Sequence, residues 1–450
     1  MDIPKRSELE IARLGECRFP SPVAQRGKRC VDEDDRVLVS TSTRALQPFL
    51  EAGQPPPAFE AAGPRAQIYF APSQLTCGIV TCGGLCPGIN NAIRAIVLTL
   101  HYAYGVPRIL GFRYGYAGLS SQSGYEPVLL SPAAVDTIHE HGGTLLGTSR
   151  GQHDIVDMVD TLMRWHVGIL FAIGGDGTMR GARALHQEIV NRRLPIGIIG
   201  IPKTIDNDLA WIERSFGFNT AVAEARRVVA GAHAEARGAW NGIGLVKLMG
   251  RHAGFIAAHA SLASSDVNFC LVPEVPFMLD GECGFFRTLE RRLDAKHHAV
   301  IVAAEGAGQE LLQDPAHQEY DPSGNLRLKD IGGFLRDQIT HYFAARHKEI
   351  TIKYIDPSYT IRSLPADSLD AESCLMLGQH AVHAGMAGCT DMLVSYWNQH
   401  FVHVPLGLVT QVSPRLDMQG EVWESVLEAT GQPALWSGGD GAGSATQREQ

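Results

Sequence analysis

Three short stretches concentrate the groups that could handle phosphate. In "GGDGTMRGARAL", Gly174, Gly175 and Gly177 would let the backbone approach a polyphosphate, and Asp176 is the only group there able to hold Mg²⁺. In "PKTIDND" at 202–208, Asp206 and Asp208 are carboxylates beside that site, and such a group is a natural base for a hydroxyl that attacks phosphorus. Thr204 adds a hydroxyl donor, and Lys203 could neutralise phosphate charge. In "GGLCPGINNAIRAIV" from Gly83, glycines and a proline precede an apolar helical pattern, which presents backbone N–H groups to an anion. Each stretch has a plainer reading: a glycine turn, a helix N-cap at Asp176, or an Asx-rich turn.

Later stretches add complementary groups. "KLMGRHAGF", "EGAGQ" and "DPSYTIRS" supply Arg251 and Arg362 for phosphate, joined by Lys353 from the run "TIKYI" just before the last of them, with Glu305 for hydroxyls and Tyr359 for a further hydrogen bond, a set suited to a phosphorylated polyol. One arginine alone reads more readily as a surface ion pair than as a ligand. Their shared position after successive apolar runs is the argument for a site.

Those runs are the elements that must position them: "CGIVTC", "RILGF", "GILFAI", "IGIIGI", "GIGLVKL", "NFCLV", "AVIVAA" and "TIKYI". Helical patterns such as "DIVDMVDTLMRW" fill the gaps. Alternation of this kind predicts an α/β chain with parallel sheets covered on both faces, and the length suits two doubly wound domains. In such sheets ligands lie beyond the carboxyl ends of the strands, where the polar stretches fall.

The totals narrow the function classes. A chain of 450 residues with 45% hydrophobic and 19% charged residues is long enough for two cores. A net charge of -9 argues against a nucleic-acid partner, though a local anion pocket survives it because salt screens charges beyond roughly 8–10 Å. No apolar run reaches membrane-spanning length, so no membrane is expected. Nine scattered cysteines and a start without an apolar signal core point to a cytoplasmic protein, and Cys77, Cys82 and Cys86 are not spaced as a zinc site. Residues 1–63 read as an N-terminal extension or linker, partly ordered at best, and 437–450 as a disordered tail.

The stretches "GIVTCGGLCPGINNAIR", "IGGDGT", "PKTIDND", "KLMGR", "AEGAGQ" and "YIDPSYTIR" occur in an order and at intervals that resemble the phosphofructokinases, over roughly residues 64–410. The resemblance implies two Rossmann-like domains with the active site in the cleft between them: residues 64–217 plus about 363–410 for ATP, and 218–362 plus about 411–436 for fructose 6-phosphate. It places Gly84, Arg150 and Gly151 at the nucleotide, Gly175, Asp176, Gly177 and Thr178 at its phosphates, and Mg²⁺ on Asp176. It makes Asp206 the base for the sugar 1-hydroxyl, with Thr204 and Asp208 completing the loop and Arg251 neutralising charge. Met249, Gly250, Arg251, Glu305, Tyr359 and Arg362 would hold the sugar phosphate, and Lys353 stands at a position often supplied across a subunit interface. The implied activity is the glycolytic transfer from MgATP giving fructose 1,6-bisphosphate and ADP, in a homodimer or homotetramer.

Two positions bear on the donor. Pyrophosphate users carry aspartate in place of Gly177 and a lysine at Lys203; glycine with lysine looks like the ATP-dependent subgroup of plants and trypanosomes. Pyrophosphate as donor and sedoheptulose 7-phosphate as acceptor remain alternatives. Leu85 and Gly242 depart from many bacterial relatives, which carry aspartate and a phosphate-binding arginine there. "GTSRG" at 147–151 also matches the serine-hydrolase pattern, though without a clear strand and helix around it.

Overall fold

In the computed structural model, which describes residues 3–151, 153–312, 319, 320 and 326–436, all eight apolar runs form strands. The main strands in chain order are β1 (Arg36–Leu38), β2 (Ala58–Ala61), β3 (Thr76–Thr81), β4 (Arg108–Phe112), β5 (Val128–Leu129), β6 (Val167–Gly174), β7 (Gly197–Pro202), β8 (Gly242–Leu248), β9 (Phe269–Leu271), β10 (His298–Ala304), β11 (Thr351–Ile355), β12 (Met392–Trp397) and β13 (His400–Pro405). By internal contacts the chain divides into two units. Unit 1 holds the chain to Thr220, Tyr320 and Arg362–Pro414; unit 2 holds Ala221–Glu319, Leu326–Ile361 and the residues from Arg415.

Unit 1 is built on a nine-stranded sheet ordered β1-β2-β13-β12-β7-β6-β3-β4-β5. Its centre, β12-β7-β6-β3-β4, is parallel, and the strands outside it run antiparallel. Every residue of β3 and β7 is buried, as expected where helices cover both faces. Among those helices are α1 (Ile89–Leu98), α2 (Ile155–Arg164), α3 (Asp176–Asn191) and α4 (Ser368–Met386). Asp154 caps α2, its carboxylate accepting from Val156 N–H at 2.9 Å, and Asp367 caps α4 by accepting from Asp370 N–H at 2.8 Å. Unit 2 carries a four-stranded parallel sheet ordered β9-β10-β8-β11. Among the described residues no helix is long and apolar enough to cross a membrane.

The expectation of a partly ordered extension over 1–63 is corrected. Residues 36–38 and 58–61 lengthen the main sheet as β1 and β2, with Val402 opposite Ala61 and His403 opposite Glu60. Phe59 is fully buried, its ring 5.9 Å from Trp211 and 6.0 Å from Trp397 in edge-on contacts. Beneath them Glu60 gathers a buried ion network. Arg13 Nη2 donates to both of its carboxylate oxygens at 2.9 Å, Arg65 Nη2 donates to Oε1 at 3.0 Å, and His403 Nδ1 lies 3.0 Å from the same oxygen. The partners are 47, 5 and 343 residues away in sequence, and no local periodicity reports them. Glu60, Cys389 and His403 have donor atoms within 4.8 Å of one another. Cationic charge is already supplied there by Arg13 and Arg65, and Arg13 reaches both Glu60 and, through Nη1 at 3.3 Å, Cys389 Sγ. The disordered tail expected over 437–450 lies outside the described residues.

Two histidines on α4 bear on the stability of this unit. His380 Nδ1 and His383 Nε2 are buried without a hydrogen-bond partner among the described residues, while Tyr104 Oη sits 2.8 Å from His383 Nδ1. Burial lowers the pKa of His380 to about 4 and of His383 to about 3, from an ordinary 6.5. Below pH 6.5 the unfolded chain takes up protons that the folded chain refuses, so stability falls as pH falls toward those values. The slope is at most about 1.4 kcal/mol per pH unit for each histidine. His380 stacks on Phe401 at 4.6 Å, so His380→Phe keeps the stacking and removes one of the two protons. Urea titrations at pH 7 and pH 5 should show the variant losing less stability between them than the wild type; equal losses would contradict the assignment.

Candidate active site

In unit 1 the chemistry-bearing loops leave the carboxyl ends of adjacent parallel strands. The β3 loop runs into α1 through Gly88, the helix N-cap, at φ 101°. A side chain there would meet Cys374 Sγ at 2.6 Å and the Phe216 ring at 2.9 Å, so only glycine fits both the backbone and the space. The β6 loop turns at Gly175, the N-cap of α3, and Asp176 is the first helical residue. The N-cap alternative for Asp176 is thereby excluded, and its carboxylate stands at the positive end of the helix instead.

The β7 loop is tied internally and to both neighbours. Lys203 N–H donates to Gly174 O at 3.0 Å. Its side chain, only 5% exposed, turns into the protein, and Nζ donates to the Gly84 carbonyl at 2.6 Å. Thr204 N–H donates to Ser215 Oγ at 2.9 Å, and Thr204 Oγ1 donates to Asp208 Oδ1 at 2.7 Å. The same Oγ1 accepts from Asp206 N–H at 3.2 Å. Asn207 adopts φ 54° and its Oδ1 accepts from Ser215 N–H at 2.7 Å. "PKTIDND" is thus a fixed platform with Asp206 on it, and an isolated capping turn does not describe it.

A fourth segment closes over the first loop. Gly83 N–H donates to Ser149 O at 3.2 Å, and Thr148 Oγ1 donates to Gly83 O at 2.6 Å, which brings Arg150 alongside. A side chain at Gly84 would come within 3.4 Å of Arg150 Nη2 and 3.8 Å of Arg362 Nη1. Ser149 Oγ donates to Tyr114 O at 2.6 Å, and neither a strand nor a helix frames it. The hydrolase pattern is therefore incidental.

Charged groups in these loops are perturbed by burial and by their neighbours. Burial raises the Asp176 carboxyl above its ordinary pKa; Arg180, with Nη1 2.6 Å from Asp176 Oδ2, opposes that and the charge of Asp208 adds to it. Burial lowers the Lys203 ammonium from its usual value. A Cβ at Gly177 would meet nothing within 4 Å, so that face of the loop is open. Thr178 is buried, with its side chain turned back against Gly174 and its carbonyl accepting from Tyr116 Oη at 2.8 Å. Gly151 has φ 128° beside Arg150.

Unit 2 places its residues in the same way. Met249, Gly250 and Arg251 follow β8, and Glu305 follows β10. The two turns are joined by Glu305 N–H donating to Leu248 O at 2.8 Å and Gly306 N–H to Gly250 O at 3.0 Å. Gly250 holds φ 129°, and Arg251 Nη1 donates to Leu326 O at 3.1 Å. After β11, Asp356 pairs with Lys247 Nζ at 2.7 Å, fixing the start of the turn that carries Tyr359. Tyr359 is 74% exposed. Lys353 is exposed within β11 opposite Gly244, away from the strand end. Sequence reasoning missed Ser215, Asn207, Thr148 and Arg180. Only Arg180 carried a signal, its four-residue offset from Asp176 on a helix.

The phosphofructokinase family model matches residues 76–385. An "ATP-dependent 6-phosphofructokinase" of Borreliella burgdorferi is 46% identical over 443 residues, covering 95% of this chain and 97% of that protein. One of the same name from Trypanosoma brucei brucei is 42% identical over 432 residues, covering 94% of this chain and 88% of its own length. Among solved structures, a pyrophosphate-dependent phosphofructokinase from Marinobacter aquaeolei matches with a TM-score of 0.66 at 20% identity, over 81% of this chain and 92% of that one. At that identity the structural match speaks for the fold alone. With the family's motifs standing at the ends of the strands that should carry them, the chain belongs to the phosphofructokinase family.

Proposed function

We propose that the protein transfers the γ-phosphoryl group of MgATP to the 1-hydroxyl of fructose 6-phosphate, giving fructose 1,6-bisphosphate and ADP. The observation that carries this reading is the junction at Lys203, whose backbone holds the β6 loop and whose ammonium holds Gly84, so the carboxylate loop lies against two glycine loops. Support for the donor and acceptor comes from the relatives' names at 42–46% identity over nearly the whole chain.

The mechanism is direct, in-line transfer governed by positioning and charge. Asp206 accepts the proton of the attacking hydroxyl on a carboxylate held by its backbone tie to Thr204. Thr204 and Asp208 hold each other and keep that loop in register. Arg150 offers a forked donor to the phosphoryl oxygens of ATP, and Arg251 is a group of the same kind, to which the resemblance gives the role of neutralising charge. Asp176 is the residue for Mg²⁺: a hard oxygen donor whose raised pKa and neighbouring Asp208 charge both fit a cation. The metal would neutralise donor charge when bound. We assign donor binding to unit 1 and sugar-phosphate binding to Met249, Gly250, Arg251, Glu305 and Tyr359 of unit 2. The reading carries with it a cytoplasmic homo-oligomer, in which Lys353 would serve a neighbouring subunit.

Gly177 supplies the test of the donor. Alanine there enters open space, so Gly177→Ala should keep its activity with ATP. Gly177→Asp should fold equally well but place a negative charge on the donor face, lowering kcat/KM for ATP by about 100-fold or more. Steady-state kinetics with ATP and thermal melts of both variants check this. Undiminished use of ATP by Gly177→Asp would remove Gly177 from the donor site.

A further inference from the structure

We propose that Arg362 is a ligand of the donor's phosphates, acting beside Arg150 at Gly84, and is not confined to the phosphate already on the sugar. The proposal rests on the phosphotransfer reading above and reassigns one of its residues. Three cationic groups converge on two glycines. Arg150 Nη2 and Arg362 Nη1 lie 3.4 Å and 3.8 Å from where a Gly84 side chain would begin. Lys203 Nζ lies 3.2 Å from the same point on Gly83 and donates to Gly84 O. Several cationic groups set this close together suit a ligand that carries several phosphate charges, and a polyphosphate brings more of them than the single dianion of a sugar phosphate does.

The chain around Arg362 is fixed where the proposal needs it. Ile361 is fully buried. The Ser363 carbonyl occupies the space a side chain on Gly142 would fill, so the segment carrying Arg362 packs directly on the one that leads to Arg150. Arg362 also groups with unit 1, which holds the donor loops, whereas Arg251 and Glu305 belong to unit 2. The guanidinium's planar fork suits two phosphate oxygens at once, which an ammonium cannot reproduce.

The experiment uses the full-length protein without sugar phosphate and measures binding of adenylyl imidodiphosphate with Mg²⁺, and of MgADP, by calorimetry. Arg362→Ala should weaken the triphosphate analogue about tenfold and MgADP less, with Arg150→Ala as the positive control. Arg362→Lys should recover only part of the loss while melting at the wild-type temperature, which separates ligation from folding. Unchanged affinity for the analogue, with only the KM for fructose 6-phosphate raised, would overturn the proposal. The underlying reading has its own readout in wild-type turnover. If ATP and fructose 6-phosphate gave no product while Arg362→Ala still weakened the analogue, the activity assignment would fall and the arginine assignment would stand.

Discussion

Replacing Asp206 with serine or asparagine should lower kcat by about 10²- to 10⁴-fold, with KM for ATP and for fructose 6-phosphate little changed. The expectation follows from what holds the loop. Asp206 ties to Thr204 through its backbone N–H, and Thr204 ties to Asp208 and Ser215, and the substitution leaves these ties in place. What the substitution removes is the proton acceptor, an interaction realised only as the hydroxyl attacks. Replacing Thr204 or Asp208 would instead loosen the platform and disturb KM and kcat together. A near-normal kcat for Asp206→Asn would exclude Asp206 as the base.

The second large effect is on stability. Glu60→Leu should cost about 3–5 kcal/mol, because it leaves the Arg65 guanidinium, with a side chain only 4% exposed, without its counter-charge. Burial alone would raise the Glu60 carboxyl; the hydrogen bond and charge of His403, then Arg13 and Arg65, outweigh it and hold the pKa well below the ordinary 4.5. With a depressed folded value, the stabilisation is complete above the ordinary value and is lost as pH falls through the folded one. Chemical denaturation at pH 7 gives the size of the loss. Adding Arg65→Met to Glu60→Leu should restore part of it, since the pair is more costly to break than to replace. A Glu60→Leu variant within 1 kcal/mol of wild type would show that the network does not bear on stability.

The central strands were legible because a strand buried on both faces must be almost wholly apolar, and the polar residues that break such a run mark its carboxyl end. That is why Gly175–Thr178, Lys203–Asp208, Met249–Arg251 and Glu305 could be placed beyond the carboxyl ends of strands from the order of residues alone. The N-terminal strands were not legible. β1 and β2 span three and four residues, too short to show a period, and their anchors are long-range: Trp397 Nε1 donates to Val39 O at 3.0 Å, and Asn398 Nδ2 to Leu38 O at 2.8 Å. Side-chain direction was equally hidden. From sequence, Lys203 reads as a counter-charge facing the donor, or as the residue that argues for pyrophosphate. In the fold it is buried on the Gly84 carbonyl as a strut between loops. The neighbours of Gly84 show the same limit, since nothing in the order of residues places Arg362 beside Arg150.

Donor and acceptor can be identified together in one measurement. Purified full-length protein with Mg²⁺ and fructose 6-phosphate is offered ATP or pyrophosphate in parallel, and the products are identified by ³¹P NMR. Fructose 1,6-bisphosphate and ADP are expected with ATP, and little or no turnover with pyrophosphate. Turnover with pyrophosphate alone, or no phosphorylation at the 1-hydroxyl, would contradict that expectation.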